Sequence, residues 1–570
     1  MNTSMRLFRR FVSLVGLLAA AASSATPSIQ WNTNLPNRQQ NGFGIWYPGA
    51  QAIGYNCNIV KVWVTTYVNG SGTESAFSFK GIASGNGTIV SDQNWAQTPA
   101  SAGVQVYRAQ AVDDANNASP EIYWIVKTFA AGTATAPLAD KFNRENYTIG
   151  YDDLPIQPNG AKLFPNLGSA TANTRLMNDL VLSLSQDSRA GKIVEFKGTT
   201  LFDLGSAGQL WGFKQVSNLL FRSSSAGTAT LQWSASGGGD PHSLWGFDHD
   251  CGSITIDSLA FDTGHNHRSV DGTHLKISGH DMTISNSYFY HAPGFTISIG
   301  ADQAGYVPHD IAINYCTLTD NYSDGIHVFS GNTIQLSHNT INGTGDDGIA
   351  ILNDGLLDSG SANYHVMSTG IHLLSNTVTN TGWRGIVVQT ARDSEITGNT
   401  VDTTALHTVE ISKFDGLATA NRDGNDPSNP DLPYYPRRIT ITGNNFFHAG
   451  WHPAHPSQNG YPQLGSDGNT LADCDKYYHG AYGLYLFYFN NPTPGETTQT
   501  LVCSGNGIRY HSAHCVYTNQ TQNLQIGNSS WINSAGQPLT LGGSQQWADS
   551  WFYNAQSFAL YGINLSTIAF

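Results

Sequence analysis

The chain is short of charge. Only 12% of its 570 residues are Asp, Glu, Lys or Arg, and the balance is acidic, −14 at neutral pH. Between Asp240 and Asp358 there are fifteen Asp, no Glu, and only Arg268 and Lys276 as cations. A surface built from that stretch is electronegative, which disfavours pectate, alginate or nucleic acid as a partner unless Ca²⁺ bridges them. Cysteine is scarce too: six, at 57, 251, 316, 474, 503 and 515, in no metal-ligand spacing. The even number suits disulfides in an oxidising compartment, with Cys503 and Cys515 as the local pair and Cys316 as a buried thiol. No apolar run beyond the N-terminus approaches a membrane span, so a soluble mature protein is expected. With 60 Gly and so few charged residues, long helices have little to be built from. A turn-dense, all-β protein is expected.

The N-terminus carries Arg6, Arg9 and Arg10, then an apolar run over 11–22, then Ser23-Ser24-Ala25. That is the pattern of a secretory signal over residues 1–25, and it predicts export. Residues 26–150 alternate in the manner of strands (IVKVWVTTYV, GVQVYRAQAV, EIYWIVKTF) and predict an N-terminal antiparallel β-sandwich domain. The Pro-punctuated LPIQPNGAKLFPN leads into a second domain, 151–570, and residues 173–185 predict a short helix at its open end.

That second domain repeats. IAINYCTLTDNYSDGIHV, IQLSHNTINGTGDDGIAI, IHLLSNTVTNTGWRGIVV, EITGNTVDTTALHTVEI and ITITGNNFFHAGWH align on Cys316, Asn339, Asn376, Asn399 and Asn444. A period in the twenties with short alternating strands and an Asn-rich turn predicts a parallel β-solenoid. Equal register then means equal location. Eight residues beyond each anchor stand Asp324, Asp347, Arg384, His407 and His452, which should form one column with coils about 4.8 Å apart. Two insertions, 353–368 and 447–490, should wall a groove.

Asp346 lies beside Asp347, and Asp324 one coil earlier. Three carboxyls so close cannot all ionise freely, and at least one pKa should rise. Glycoside hydrolysis needs such a set: one acid protonated to serve the leaving oxygen, another ionised to activate water. Around them, Arg384, Trp383, His327, His407, Lys413 and Glu410 are candidate substrate-binding residues, with Glu410 at the strand register of His327. His265, His267, His274 and His280 match no zinc spacing and are placed at one end of the groove.

NYSDGIHV followed by GTGDDGIAI resembles the paired motifs of right-handed parallel β-helix glycoside hydrolases. These include polygalacturonases, dextranases and isopullulanase, and the alpha-1,3-glucanase/mycodextranase group, to which the wording is closest. The resemblance covers residues 321–351 and implies a β-helix catalytic domain, preceded by a β-sandwich. It implies Asp346 as general acid and Asp324 with Asp347 as the pair activating water, with inversion. Where polygalacturonases carry a GHG segment this chain has GWRG (Trp383, Arg384), and their Arg-Ile-Lys segment is missing unless Lys413 substitutes, a departure that argues against galacturonan. The expectation is a secreted hydrolase of a neutral α-glucan polysaccharide, with no metal, cofactor, nucleic acid or membrane partner. The alternatives are a Ca²⁺-dependent lyase acting on a uronate polymer, with Arg384 or Lys413 as base, and a non-catalytic glycan-binding solenoid.

Overall fold

The computed structural model describes most of residues 149–412 and 436–449. Beyond these it describes 117–119, 121, 483–487, 501–509 and single strands within 28–129 and 516–561. Residues 1–25, His265, His267, Lys413, His452 and most of the 447–490 insertion lie outside the described residues. The chain divides into two compact units, residues 1–179 with 197–201, and residues 180–196 with 202–570.

In the first unit, Cys57–Val68 pairs antiparallel with Ser71–Lys80 and Gly103–Asp113, and the latter with Ile122–Phe129. A smaller antiparallel sheet joins Ser28–Trp31, Ala50–Ile53 and Ile89–Val90. Strands of the two sheets lie against each other, as the β-sandwich expectation requires.

In the second unit each coil gives one strand to each of three parallel sheets. Sheet I includes Asn332–Ser337, Ser368–Leu374, Ala391–Thr397 and Arg437–Thr442. Sheet II includes Thr317–Asn321, Thr340–Thr344, Thr377–Thr381 and Thr400–Thr404. Sheet III includes Ile326–Val328, Ile349–Ile351, Ile386–Val388, Val409–Ser412 and Leu484–Phe487. The apolar pairs of sheet III stack in register, Ile326 on Ile349 on Ile386 on Val409, all fully buried. Each such side chain contributes roughly 1.5–3 kcal/mol of burial, and the flat ladder repeats that gain coil after coil. Earlier coils fill the same interior with rings instead, such as Phe261 stacked 5.0 Å from Phe289.

The turn between sheets I and II explains the Asn anchor. Its first residue adopts a left-handed conformation, at Tyr315, His338 and Ser375 and then at Gly398, Gly443 and Gly505, where glycine is unstrained. The next residue turns inward as an asparagine ladder. Asn376 Oδ1 accepts the Asn339 N–H and Nδ2–H, both at 3.0 Å. Asn376 Nδ2 donates in turn to Asn399 Oδ1 at 2.9 Å and to Leu336 O at 2.8 Å. The pattern continues through Asn444 to Asn506, and Cys316 opens it by donating its N–H to Asn339. Every amide group is satisfied in a buried site, so truncation strands several partners at once. Asn376→Ala is expected to cost roughly 2–4 kcal/mol, read as a lowered midpoint of denaturant unfolding.

The thiol expectation holds for Cys316, which is buried and free. It fails for Cys503, which is also buried and free, in register with Ile441 on the core side of its strand. The expected Cys503–Cys515 pairing is therefore absent. His274 is a further correction. It is fully buried against Phe261, Phe289 and Trp233, and burial drives its pKa down to about 3, so it belongs to the core rather than to a groove.

Candidate active site

The turn between sheets II and III carries the acids, and its glycines set where they stand. A Cβ on Gly348 would lie 2.2 Å from Val378 Cγ1 and 2.6 Å from Gly385 O. Gly325 and Gly385 are equally tight. Only glycine lets the backbone approach its neighbours so closely there, and the residue before it stands in the turn. This is why the acids read Asp-Gly.

The predicted column exists from Asp324 through Asp347 and Arg384 to His407, while its fifth member, His452, lies outside the described residues. The Gly325 N–H donates to Asp347 O, the Gly348 N–H to Arg384 O and the Gly385 N–H to His407 O, all within 2.9–3.0 Å. Side chains repeat the ladder. Asp324 Oδ1 accepts the Asp347 N–H at 3.0 Å, and Asp347 Oδ1 accepts the Arg384 N–H at 3.0 Å. Asp346 is brought to the same place: one oxygen from each of Asp324, Asp346 and Asp347 lies within 4.8 Å of the others. Their exposures are 3%, 8% and 2%, so Asp346 is the most open.

Each acid has a different environment. Asp324 Oδ2 faces His327 Nδ1 at 2.6 Å, while His327 Nε2 faces Leu352 O at 2.8 Å. Both ring nitrogens therefore meet acceptors, an arrangement that an imidazolium satisfies fully. Burial opposes that charge, but the Asp324 carboxylate outweighs it and raises the His327 pKa. Phe295 and Phe329 pack on the ring at 4.8 and 4.0 Å. Asp347 receives a two-pronged clamp from Arg384, Nε to Oδ1 at 2.9 Å and Nη2 to Oδ2 at 2.8 Å. Burial still pushes the Asp347 carboxyl up to about 6, against the pull of the guanidinium. Asp346 has no such support. Its Oδ1 is buried without a hydrogen-bond partner. Burial, then Asp347 and Asp324, push its pKa well above the carboxylate range. Asp346 is thus biased toward its protonated form beside two hydrogen-bonded carboxyl groups.

The residues expected to hold substrate are largely turned to other work. Glu410 occupies the register of His327, with Ala350 and Val387 between them. It pairs with Arg384 Nη1 at 3.3 Å and accepts from Gln389 and Ser412 at 3.1 and 2.7 Å. Burial works against its charge, but Arg384 prevails and holds its pKa down. His407 is fully buried on Tyr485, rings 4.3 Å apart, and burial takes its pKa down to about 3. Trp383 is 8% exposed and packs on Leu406, which leaves its ring little face for a sugar. His327 is 2% exposed and holds Asp324. Alternation along a strand shows which side a residue leaves by, but not what the neighbouring coils place over it. Gln389 and Ser412 escaped notice because neither differs in type from ordinary turn residues. Asp354, open to water at the start of the 353–368 insertion, also went unremarked. Its charge is felt by His327, Asp324 and Arg384.

A family model described as a right handed beta helix region matches residues 250–361. The coils form a right-handed β-helix. No curated protein sequence matches the chain. Among solved structures, the chain is similar to a mannuronan C-5 epimerase A-module of Azotobacter vinelandii, at 10% identity and a TM-score of 0.40, over 73% of this chain and 98% of that one. It is similar to a family 28 exopolygalacturonase of Yersinia enterocolitica, at 10% identity and a TM-score of 0.37, over 91% and 98%. A third is the catalytic domain of a GH87 alpha-1,3-glucanase in complex with nigerose, at 11% identity and a TM-score of 0.35, over 95% and 97%. On the β-helix the acids project from the turn into sheet III, and all three sit within two successive coils.

Proposed function

We propose that the protein is an exported glycoside hydrolase acting on a neutral polysaccharide, with an α-glucan as the favoured class. The observation that carries the reading is Asp346: a buried carboxyl with an unpartnered oxygen, crowded by Asp324 and Asp347 so that one oxygen of each lies within 4.8 Å of the others. A general acid must keep its proton until the leaving oxygen takes it, and the burial of Asp346 beside two other carboxyl groups supports that role. Asp324 and Asp347 are the pair that activates water: one of them takes a single proton as the water oxygen bonds to the anomeric carbon, and the glycosidic bond breaks as the Asp346 proton passes to the leaving oxygen. Both oxygens of each already accept hydrogen bonds, so water is a better nucleophile here than a carboxylate oxygen. Inversion at the anomeric carbon follows from that choice. The 4.8 Å grouping is tighter than the roughly 6.5–9.5 Å usual between acid and base in inverting enzymes. The anomeric configuration of the first product, read by NMR, therefore tests this step separately.

The lyase alternative needs a free base and a cation to grip a uronate. Arg384 is neither, since Nε and Nη2 serve Asp347 and Nη1 serves Glu410. Burial disfavours its charge, yet the two carboxylates outweigh that and raise its pKa further. A Ca²⁺ site asks for six to eight oxygens, whereas the described cluster brings together one oxygen from each of three carboxyl groups. The acidic stretch from Asp240 to Asp358 points the same way, toward an uncharged glycan.

The pH dependence is the test. Turnover requires Asp347 ionised and Asp346 protonated, so kcat/KM should fall as pH drops below about 6 and fall again on the alkaline side as the Asp346 proton is lost. A profile flat from pH 4 to 8 would remove the assignment.

A further inference from the structure

Glu410 is buried, charged and not in contact with the three acids, and the hydrolytic scheme gives it no part. Its position in sheet III suggests one. The outward row reads His327, Ala350, Val387, Glu410 across four coils. His327 at one end holds Asp324. At the other end Glu410 holds Arg384, whose remaining nitrogens hold Asp347. Two residues of opposite charge thus brace the acids from opposite ends of one row, with small or aliphatic side chains between them.

We propose that Glu410 is a positioning residue that sets the ionisation of Asp347 through Arg384, rather than a residue that binds substrate. The inference rests on the hydrolase reading for its activity readout. Glu410 turns both carboxylate oxygens to protein partners. Oε1 takes Gln389 Nε2 and Ser412 Oγ, Oε2 faces Arg384 Nη1, and the residue is 6% exposed. Gln389 and Ser412 are also bonded to each other at 2.9 Å, so the carboxylate sits in a closed frame. The guanidinium it holds is planar and rigid, so fixing Nη1 fixes the fork that grips Asp347. The charged and titratable groups facing Arg384 are Asp347, Asp346, Glu410, His407 and Asp354. Burial drives His407 toward its neutral form, and among the described residues Glu410 is the carboxylate beyond the acids that shares the guanidinium at contact distance. Removing its charge leaves the full Arg384 charge on Asp347 and makes that carboxylate harder to protonate.

The experiment is the pH profile of kcat/KM for wild type, Glu410→Gln, Glu410→Asp and Arg384→Lys, with the Glu410→Gln/Arg384→Lys double variant. Glu410→Gln is expected to move the acid limb down by about one pH unit, with KM within twofold of wild type. Glu410→Asp keeps the charge and should leave the limb where wild type has it. The double variant should behave as Arg384→Lys alone. A limb that stays put while KM rises tenfold would make Glu410 a substrate contact and overturn the proposal, as would additive effects in the double variant. Should Glu410→Gln fail to fold, Gln389→Leu and Ser412→Ala loosen the frame instead. They should lower kcat at constant KM, and a rise in KM alone would count against the brace. If wild type cleaves no glycan, the hydrolase reading fails. The coupling is then read from the carboxyl infrared band of Asp-labelled (4-¹³C) protein against pH. Its midpoint should move down in Glu410→Gln, and an unmoved midpoint overturns the inference.

Discussion

Asp346→Asn is expected to lower kcat by roughly 10³–10⁴-fold while leaving the fold intact, because it removes the proton donor and little else. The side chain it replaces is nearly buried, has an oxygen without a partner, and has its pKa pushed well above the carboxylate range by burial and its two acidic neighbours. An amide of the same shape should fit. Stability gives an independent reading with a definite sign. A carboxyl whose pKa is raised on folding binds more protons folded than unfolded, so it costs stability as pH rises above its unfolded pKa of about 4. Asn lacks that penalty. The variant's Tm should match wild type in acid and exceed it increasingly toward neutral pH. Equal turnover would remove Asp346 from the chemistry. A Tm difference that shrinks as pH rises would show that the acid is ionised in the folded state.

Arg384→Ala is expected to be the most damaging single change to stability. It leaves Asp347 and Glu410 buried without the cation that both face. Breaking a buried pair from one side typically costs about 3–5 kcal/mol, more than the pair itself contributes over an apolar substitute. Denaturant unfolding at neutral pH measures the loss. Part of it should return in acid, where the stranded carboxylates take up protons. A loss below about 1 kcal/mol would mean that water reaches the pair and screens it.

The coil period was legible because a solenoid writes its architecture into equal spacing. The Asn anchors at 339, 376, 399 and 444 form one hydrogen-bonded ladder, and Asp324, Asp347, Arg384 and His407 stand in one column. Asp346 was legible for a different reason, since paired acids in a tight turn compete for charge. What the pattern did not carry was coverage between coils. His407 and Tyr485 meet across a long interval of chain, and their stacking depends on a strand far down the sequence. The link from Glu410 to Arg384 likewise spans a coil and appears only when charge, register and burial are taken together. Cys503 went astray through proximity in sequence. Its neighbour in space is Ile441, a coil away.

The most direct measurement is product analysis from a panel of neutral and acidic polysaccharides incubated with the wild-type protein and with Asp346→Asn. The account predicts new reducing ends from a neutral glycan, no unsaturated chromophore, full activity in the presence of chelator, and near-complete loss in the variant. Unsaturated products from a uronate polymer that vanish with chelator, or glycan binding without any new reducing ends, would contradict it.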